Sequence, residues 1–398
     1  MAFVGLLSVV AFVCSPSYEG YFLSNSESTQ IPFELYHNRV YLPVTVNQRE
    51  AIHMVLDTGA GMTGLSETTA QSLQLRSSGA AKLVGNGDHL LSVKFAKDVH
   101  LRVGDAELSE KSVLVVPFDQ MEMHEGRPIQ GILGVDLFKR FVVTIDYAAQ
   151  RLTLSDPGSF EYHGSGVIIP LDFRGEAALF SAAILPAGGP QVPANLAVDL
   201  GTYTALRLYT PFLKRNRLVP SADRSVDSFD FGTGGEFPVR LGRVAALRLG
   251  SLTIANPATV FPEAKSGATA SSAYDGTIGG AILSRFTVIL DYPRREMILE
   301  PNEKFQEPFL ADTTGLVLEA QQPDFKTIDV EHVLANSPAA AAGLRPSDVL
   351  LQINGRDAGA LGLEAIRSLF CKPASYHVTL LRDTQQIQLE LHAPKPLY

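Results

Sequence analysis

The sequence predicts a mostly β chain: two duplicated lobes related by a pseudo-twofold axis, followed by a smaller α+β module. Three observations predict it. A long part of the chain repeats at constant spacing. Each copy consists of short apolar or alternating runs punctuated by Gly, Asn, Asp and Pro, a strand-and-turn pattern. After Pro301 the repeat stops and a different pattern begins.

The repeat is clearest in its last third. GILGVDLFKRFVVTIDY at Gly131–Tyr147 returns as GTIGGAILSRFTVILDY at Gly276–Tyr292, so that 131 maps to 276 and 147 to 292, an offset of 145. Gly131, Gly134, Arg140, Phe141, Val143, Asp146 and Tyr147 recur as Gly276, Gly279, Arg285, Phe286, Val288, Asp291 and Tyr292. Upstream, the segment ending VLVVP at Pro117 parallels the one ending ATVFP at Pro262. LVGNGDHL (83–90) parallels FGTGGEFPV (231–239), and IPFEL at Ile31 parallels IPLDF at Ile169. MVLDTGA (54–60) parallels LAVDLGT (196–202), which matches Asp57 to Asp199. Matches in the same order along both copies make chance a poor explanation. A unit of about 140 residues is far longer than a solenoid period, so this is a duplicated domain. The copies are expected at 30–158 and 159–305, with a linker and terminal module at 306–398. Within each copy one helix is expected: SETTAQSLQL (66–75) with Ser66 as N-cap, and YTPFLKRNRL (209–218) with Pro211 in its first turn.

Composition narrows the function. Apolar residues make up 45% of the 398 and charged residues 19%, enough apolar material for more than one core. The net charge of -9, with no Lys/Arg cluster, lacks the electrostatic footprint of a nucleic-acid binder. Two cysteines, Cys14 and Cys371, are too few for a disulfide framework or a structural zinc site. His124-Glu125 lacks the second His of a helical zinc motif and is read as surface loop. MAFVGLLSVVAFVC at the start is of signal-peptide length but has no positive n-region and no clear cleavage site. Residues 1–20 are read as a candidate signal or anchor. The expected location is therefore extracytoplasmic: periplasmic, secreted or held at the membrane by this segment.

Asp57 sits at the end of an apolar strand and is followed by Thr58, Gly59 and Ala60; Asp199 is followed by Leu200, Gly201 and Thr202. A strand-end turn is the simple reading of each alone. Their duplication gives another reading, because equivalent residues face each other across a pseudo-twofold axis. Two carboxylates at close range share one proton, the ionised one taking a proton from water and the protonated one polarising a carbonyl. Asp146 and Asp291 also repeat, but before AAQR and PRRE they read as turn caps.

These residues resemble the pepsin/retropepsin superfamily of aspartic peptidases over about residues 30–305. LDTGAG (56–61) and VDLGT (198–202) match its two catalytic loops, and ILG (132–134) and TIG (277–279) match the strands beneath them. The resemblance implies catalytic Asp57 and Asp199, supported by Thr58, Gly59, Ala60, Gly201 and Thr202. It implies flap hairpins at Gly85, Asn86, Gly87 and at Gly232, Thr233, Gly234. The competing reading of those glycines, a phosphate loop, lacks the following Gly-Lys-Ser/Thr. Leu200 departs from the family, whose Thr or Ser at that point bonds across the axis. Thr202 carries a hydroxyl where the first lobe has Ala60, so Asp199 is expected to be the more acidic partner and Asp57 the proton carrier.

The tail carries SPAAAAGLRPSDVLLQING at Ser337–Gly355. This resembles a bacterial-type PDZ domain, with Ser347 in place of the usual Gly. Pro338 opens a short Ala-rich helix, Gly343 closes it, and Asn354-Gly355 makes a turn. The resemblance implies a groove for a protein C-terminus or an extended peptide, with Gly315, Leu316 and Val317 in its carboxylate loop and Leu363 and Ile366 on its helix.

The resulting expectation is an exported bacterial aspartic endopeptidase, monomeric because both lobes share one chain. It would act on peptide or protein substrates, with no metal or organic cofactor implied. The alternative is a catalytically inactive peptide-binding scaffold, which the Leu200 departure motivates. A serine or cysteine hydrolase lacks a G-x-S-x-G element.

Overall fold

The computed structural model describes residues 19–24, 26–87, 89–218, 220 and 224–398; of residues 1–20, read above as a candidate signal or anchor, all but 19 and 20 lie outside them. Among the described residues the strands form four sheets. The first lobe builds a nine-stranded sheet and the second a ten-stranded one. A six-stranded sheet draws strands from both lobes, and the terminal module has a six-stranded sheet of its own.

The duplicated text explains the architecture. Val142–Asp146 and Phe286–Asp291, the VVTID and FTVILD of the repeat, pair antiparallel with each other, Val143 opposite Leu290 and Asp146 opposite Thr287. Each strand brings its own hairpin partner, Arg151–Ser155 and Glu296–Pro301, so the pairing closes one sheet across both lobes. Above it, Gly131–Leu133 runs parallel to Ala51–Leu56, and Gly276–Ile278 runs parallel to Val192–Val198. The ends that carry the acids, Met54–Leu56 and Leu196–Val198, are buried on both faces, as their continuous apolar text requires, as is Gly276–Ile278. In Arg39–Val46, Val40, Leu42, Val44 and Val46 enter one core while Tyr41 enters another on the opposite face. A single apolar core runs from Ile31 to Phe309 through both lobes, and the terminal module has a separate one.

Both expected helices form but are shorter than their text. The first is Glu67–Ser72, with the Ser66 side chain accepting from Thr69 N. It stops because Gln74 takes a left-handed conformation at φ 57. The second is Thr210–Asn216, with Pro211 in its first turn and left-handed Arg217 ending it. Asp146 and Asp291 cap turns, accepting from Ala149 N and Arg294 N. His124-Glu125 corrects the expectation of a surface loop. They end the helix Asp119–Glu125, and Glu125 is only 2% exposed. Burial supplies the reason: a carboxylate with three partners can be taken inside. Among the described residues no helix is long and apolar enough to cross a membrane.

In the terminal module Ser337 caps the helix Pro338–Ala342, accepting from Ala340 N, and left-handed Gly343 ends it. The strand Leu316–Gln321 lies at the edge of the sheet, beside the helix Leu363–Phe370.

Candidate active site

Each Asp sits where its strand ends over the strand of the neighbouring repeat element. Asp57 N donates to Leu133 O at 2.9 Å and Asp199 N to Ile278 O at 3.0 Å. Each carboxylate then accepts from the glycine two residues on: Gly59 N to Asp57 Oδ1 at 2.7 Å and Gly201 N to Asp199 Oδ1 at 3.1 Å. The two loops meet face to face. A Cβ at Gly201 would lie 2.3 Å from Asp57 Oδ1, and one at Gly59 would lie 2.9 Å from Asp199 Oδ1 and 3.1 Å from Asp57 Oδ1. Any side chain at either glycine would occupy the space where the carboxyl groups meet, so glycine is required at both. Both acids are half-buried.

Thr58 is buried and crosses the axis: its hydroxyl donates to Val198 O at 2.7 Å and accepts from Leu200 N at 3.0 Å. The reciprocal bond is missing because Leu200, 1% exposed, packs into the shared core instead. A charged side chain that the sequence did not flag grips the second loop. Arg39 Nε donates to Gly201 O at 2.6 Å. Asn38 beside it donates to Tyr203 O at 3.2 Å, and the His37 ring stacks on Tyr203 at 4.1 Å. Arg39 is held in turn by an ion pair with Glu125, which also accepts from Tyr41 OH at 2.7 Å and contacts His37 Nδ1 at 3.1 Å. Burial alone would raise the Glu125 carboxyl, but Arg39, His37 and Tyr41 outweigh it and hold it well below the usual carboxylate range.

Burial, and then the charge of Asp199, push Asp57 up to about 7. Burial raises Asp199 too, opposed by Arg207, Arg39 and the backbone N–H groups of Gly201 and Thr202. The Thr202 hydroxyl does not act as expected, because it is engaged with Thr204 Oγ1 at 3.2 Å. Arg207 replaces it as the acidifying group: it is fully buried and paired with Asp230 at 2.6 Å. Ala60 and Thr202 serve as matched backbone anchors, their carbonyls accepting from Val135 N and Gly280 N at 3.0 and 2.8 Å.

The two glycine-rich turns lie at hairpin tips, between Ser77–Val84 and Leu90–Val103 and between Val226–Gly232 and Gly235–Arg243. The tips touch. Gly234 N donates to Asn86 O at 2.8 Å, His89 N to Gly234 O at 3.1 Å, and the ideal Cβ of Gly85 falls against Thr233. A chain passing between them must part these bonds.

Residues 42–137 match the aspartyl protease family and residues 312–381 match the PDZ domain family. The chain carries an aspartyl protease domain and a C-terminal PDZ domain. Comparison with curated proteins returns no match. Among solved structures, the crystal structure of an aspartic proteinase from Irpex lacteus is similar at 14% identity and a TM-score of 0.45, covering 70% of this chain and 99% of that one.

In the PDZ domain Leu316 and Val317 line a cavity of about 530 Å³ shared with the second lobe. Leu363 and Ile366 do not line it; they are 1% and 0% exposed and belong to the domain core. The helix turns Glu364, Arg367 and Ser368 to the cavity instead, the positions between its apolar ones. The loop at Gly315 is already engaged: the Asp312 carboxylate accepts from Thr314 N at 3.0 Å and Gly315 N at 2.5 Å. The free edge of this domain also receives the first-lobe helix Asp119–Glu125, with Arg367 donating to His124 O and Gln322 to Glu122 at 2.7 Å.

Proposed function

We propose that the aspartyl protease domain hydrolyses peptide bonds with Asp57 and Asp199 as its catalytic pair. The observation that carries this is the pair of carboxyl groups, each seated over the opposite loop's glycine and both open to solvent. Asp57, the more strongly raised by burial and by its neighbour's charge, carries the shared proton. Asp199, beside Arg207 and Arg39, carries the charge. Asp199 takes a proton from water as the water oxygen bonds to the scissile carbon, and Asp57 gives its proton to the carbonyl oxygen. The amide nitrogen then leaves with the proton that Asp199 holds, and Asp57 recovers its own as the carbonyl reforms. The substrate lies extended between the hairpins, whose tips part to admit it. Leu200 is tolerated because Thr58 supplies half of the cross-axis grip and Arg39 holds Gly201. One chain completes the pair, so a monomer suffices.

The PDZ domain is proposed to take an extended peptide segment along Leu316–Gln321, an edge that the first-lobe helix Asp119–Glu125 covers in this structure and must leave for the peptide to bind. An internal segment fits better than a C-terminus, because Asp312 already occupies the N–H groups that would hold a terminal carboxylate. The test is cleavage of a mixed peptide library from about pH 3 to 8, the range over which a proton-sharing pair titrates. Wild type should cleave, and Asp57→Asn and Asp199→Asn, both folded, should each lose cleavage. Full activity in either variant, or none in a folded wild type at any pH, rejects the reading.

A further inference from the structure

We propose that the junction between the PDZ domain, the first-lobe helix and the second-lobe hairpin binds a divalent transition-metal ion, with Zn²⁺ the best fit. Five side chains that the peptidase chemistry does not use converge there. His124 ends the helix Asp119–Glu125, Glu236 follows the hairpin turn of the second lobe, and Glu319, Glu331 and His332 come from the PDZ strands Leu316–Gln321 and Thr327–Val333. The ligand atoms of His124, Glu319 and Glu331 all lie within 4.8 Å of one another, and so do those of Glu236, Glu331 and His332. Glu331 belongs to both groups.

Three features separate this cluster from a set of surface ion pairs. His124 Nδ1 and Glu331 Oε2 are 3.4 Å apart, yet both are buried and neither makes a hydrogen bond. That spacing is close to the ~3.3 Å edge of a tetrahedral site with metal–ligand bonds of about 2.0–2.1 Å. The imidazoles are also fixed in place by the second lobe. His124 stacks on Phe231 and His332 on Phe229, two side chains on one face of Val226–Gly232. Finally, Glu331 and His332 are consecutive, and a regular strand would send them to opposite faces. The ladder shifts here, with Val317 opposite His332 and Leu318 opposite Val330, which leaves Glu331 as the extra residue of a bulge. A bulge re-aims a side chain, and this one lets neighbours serve one point.

The donor set selects the ion. Each group offers one imidazole and two carboxylates, with Glu331 common to both, and a nitrogen ligand among oxygens suits zinc and its neighbours better than magnesium or calcium, which favour all-oxygen shells. Among the described residues no lysine or arginine pairs with Glu236, Glu319 or Glu331; His332 meets Glu236 at 2.8 Å and Gln321 donates to Glu319 at 2.8 Å. A cation there would balance three acids and tie the PDZ domain to the helix below its edge and to the hairpin of the second lobe.

The test uses the full chain stripped with a chelator and titrated with ZnCl₂ by calorimetry, with Co²⁺ absorption as a second readout. One ion per chain should bind saturably, bring the visible bands of a low-coordinate Co²⁺ site and raise the melting temperature. Glu331→Gln and His332→Asn should each weaken binding about tenfold or more and abolish the melting shift. Without metal, Glu331→Gln should fold at least as well as wild type, since it removes one of three crowded carboxylates. No saturable binding, or binding that survives both substitutions, overturns the proposal. Neither readout depends on peptidase activity.

Discussion

Asp57 and Asp199 were legible as single residues because the chain states them twice in matching text. Arg39 was not. It sits in ELYHNRVYL, where nothing but the folded contact marks it, and its partner Glu125 read as surface because no local pattern reveals a buried ion pair. Arg207 was missed for the same reason: a lone arginine between two leucines gives no sign that it will be buried beside Asp230. Arg39 makes the sharper prediction. It holds Gly201 O and lowers both dyad carboxyls. Removing it alone would strand a buried carboxylate at Glu125, at a cost of about 3–5 kcal/mol. The informative variant is therefore Arg39→Met with Glu125→Gln. It should fold, lose roughly ten- to a hundredfold in kcat with KM little changed, and move its pH–rate profile to higher pH, because the positive charge that favoured ionisation is gone. An unmoved profile with unchanged kcat would make the pair a packing feature only.

The elements followed their text where local chemistry decided them. Ser66, Pro211, Ser337 and Gly343 each start or stop a helix at the expected place. Helix lengths were less legible, because Gln74 and Arg217 turn left-handed, a conformation that neither residue type signals. The PDZ groove shows a related limit: helical spacing identified the apolar face Leu363–Ile366, and that pair went to the core, leaving Glu364, Arg367, Ser368 and Phe370 to line the cavity. Ser347 is the opposite case, a departure from family pattern whose consequence can be derived. It stands at φ 70, a region that costs an L-residue roughly 1–2 kcal/mol, and its N–H donates to Val330 O at 2.8 Å, which fixes the conformation. Ser347→Gly keeps that bond and removes the strain. After the entropy that glycine adds to the unfolded chain, the PDZ domain should gain about 0.5–1 kcal/mol. Chemical denaturation followed by a PDZ-specific probe measures this, and a loss of stability would mean that the Ser347 side chain makes a compensating contact.

At the scale of the whole molecule, the fold class, the duplication and the terminal module were readable, whereas the docking between them was not, because it depends on surfaces that no motif encodes. Duplication sets the two acids against each other in a half-buried site, and the consequence is a pH-dependent stability. Asp57 is raised from 3.8 to about 7, and Asp199 is raised as well. Arg39 and Arg207 oppose the shift, and Tyr209, Tyr274 and Tyr292, the other titratable groups coupled to the pair, have hydroxyls shifted upward and stay protonated in this range. Between about pH 4 and 7 the native state therefore holds a proton that the unfolded chain has released. Stability tracks the difference in bound protons, so this contribution is complete below the unfolded value near 3.8 and is lost as pH rises towards 7. Above pH 7 the folded protein carries two half-buried charges side by side. Asp57→Asn replaces one with a neutral amide of the same shape that can donate to Asp199. It should flatten the decline in melting temperature between pH 4 and 7 and leave the variant a few degrees more stable than wild type at pH 8, though inactive. Melting temperatures of both proteins across that range decide the matter. Parallel curves would mean that the shared proton does not sit on Asp57, and the same set measured on Asp199→Asn would then show whether the roles are reversed.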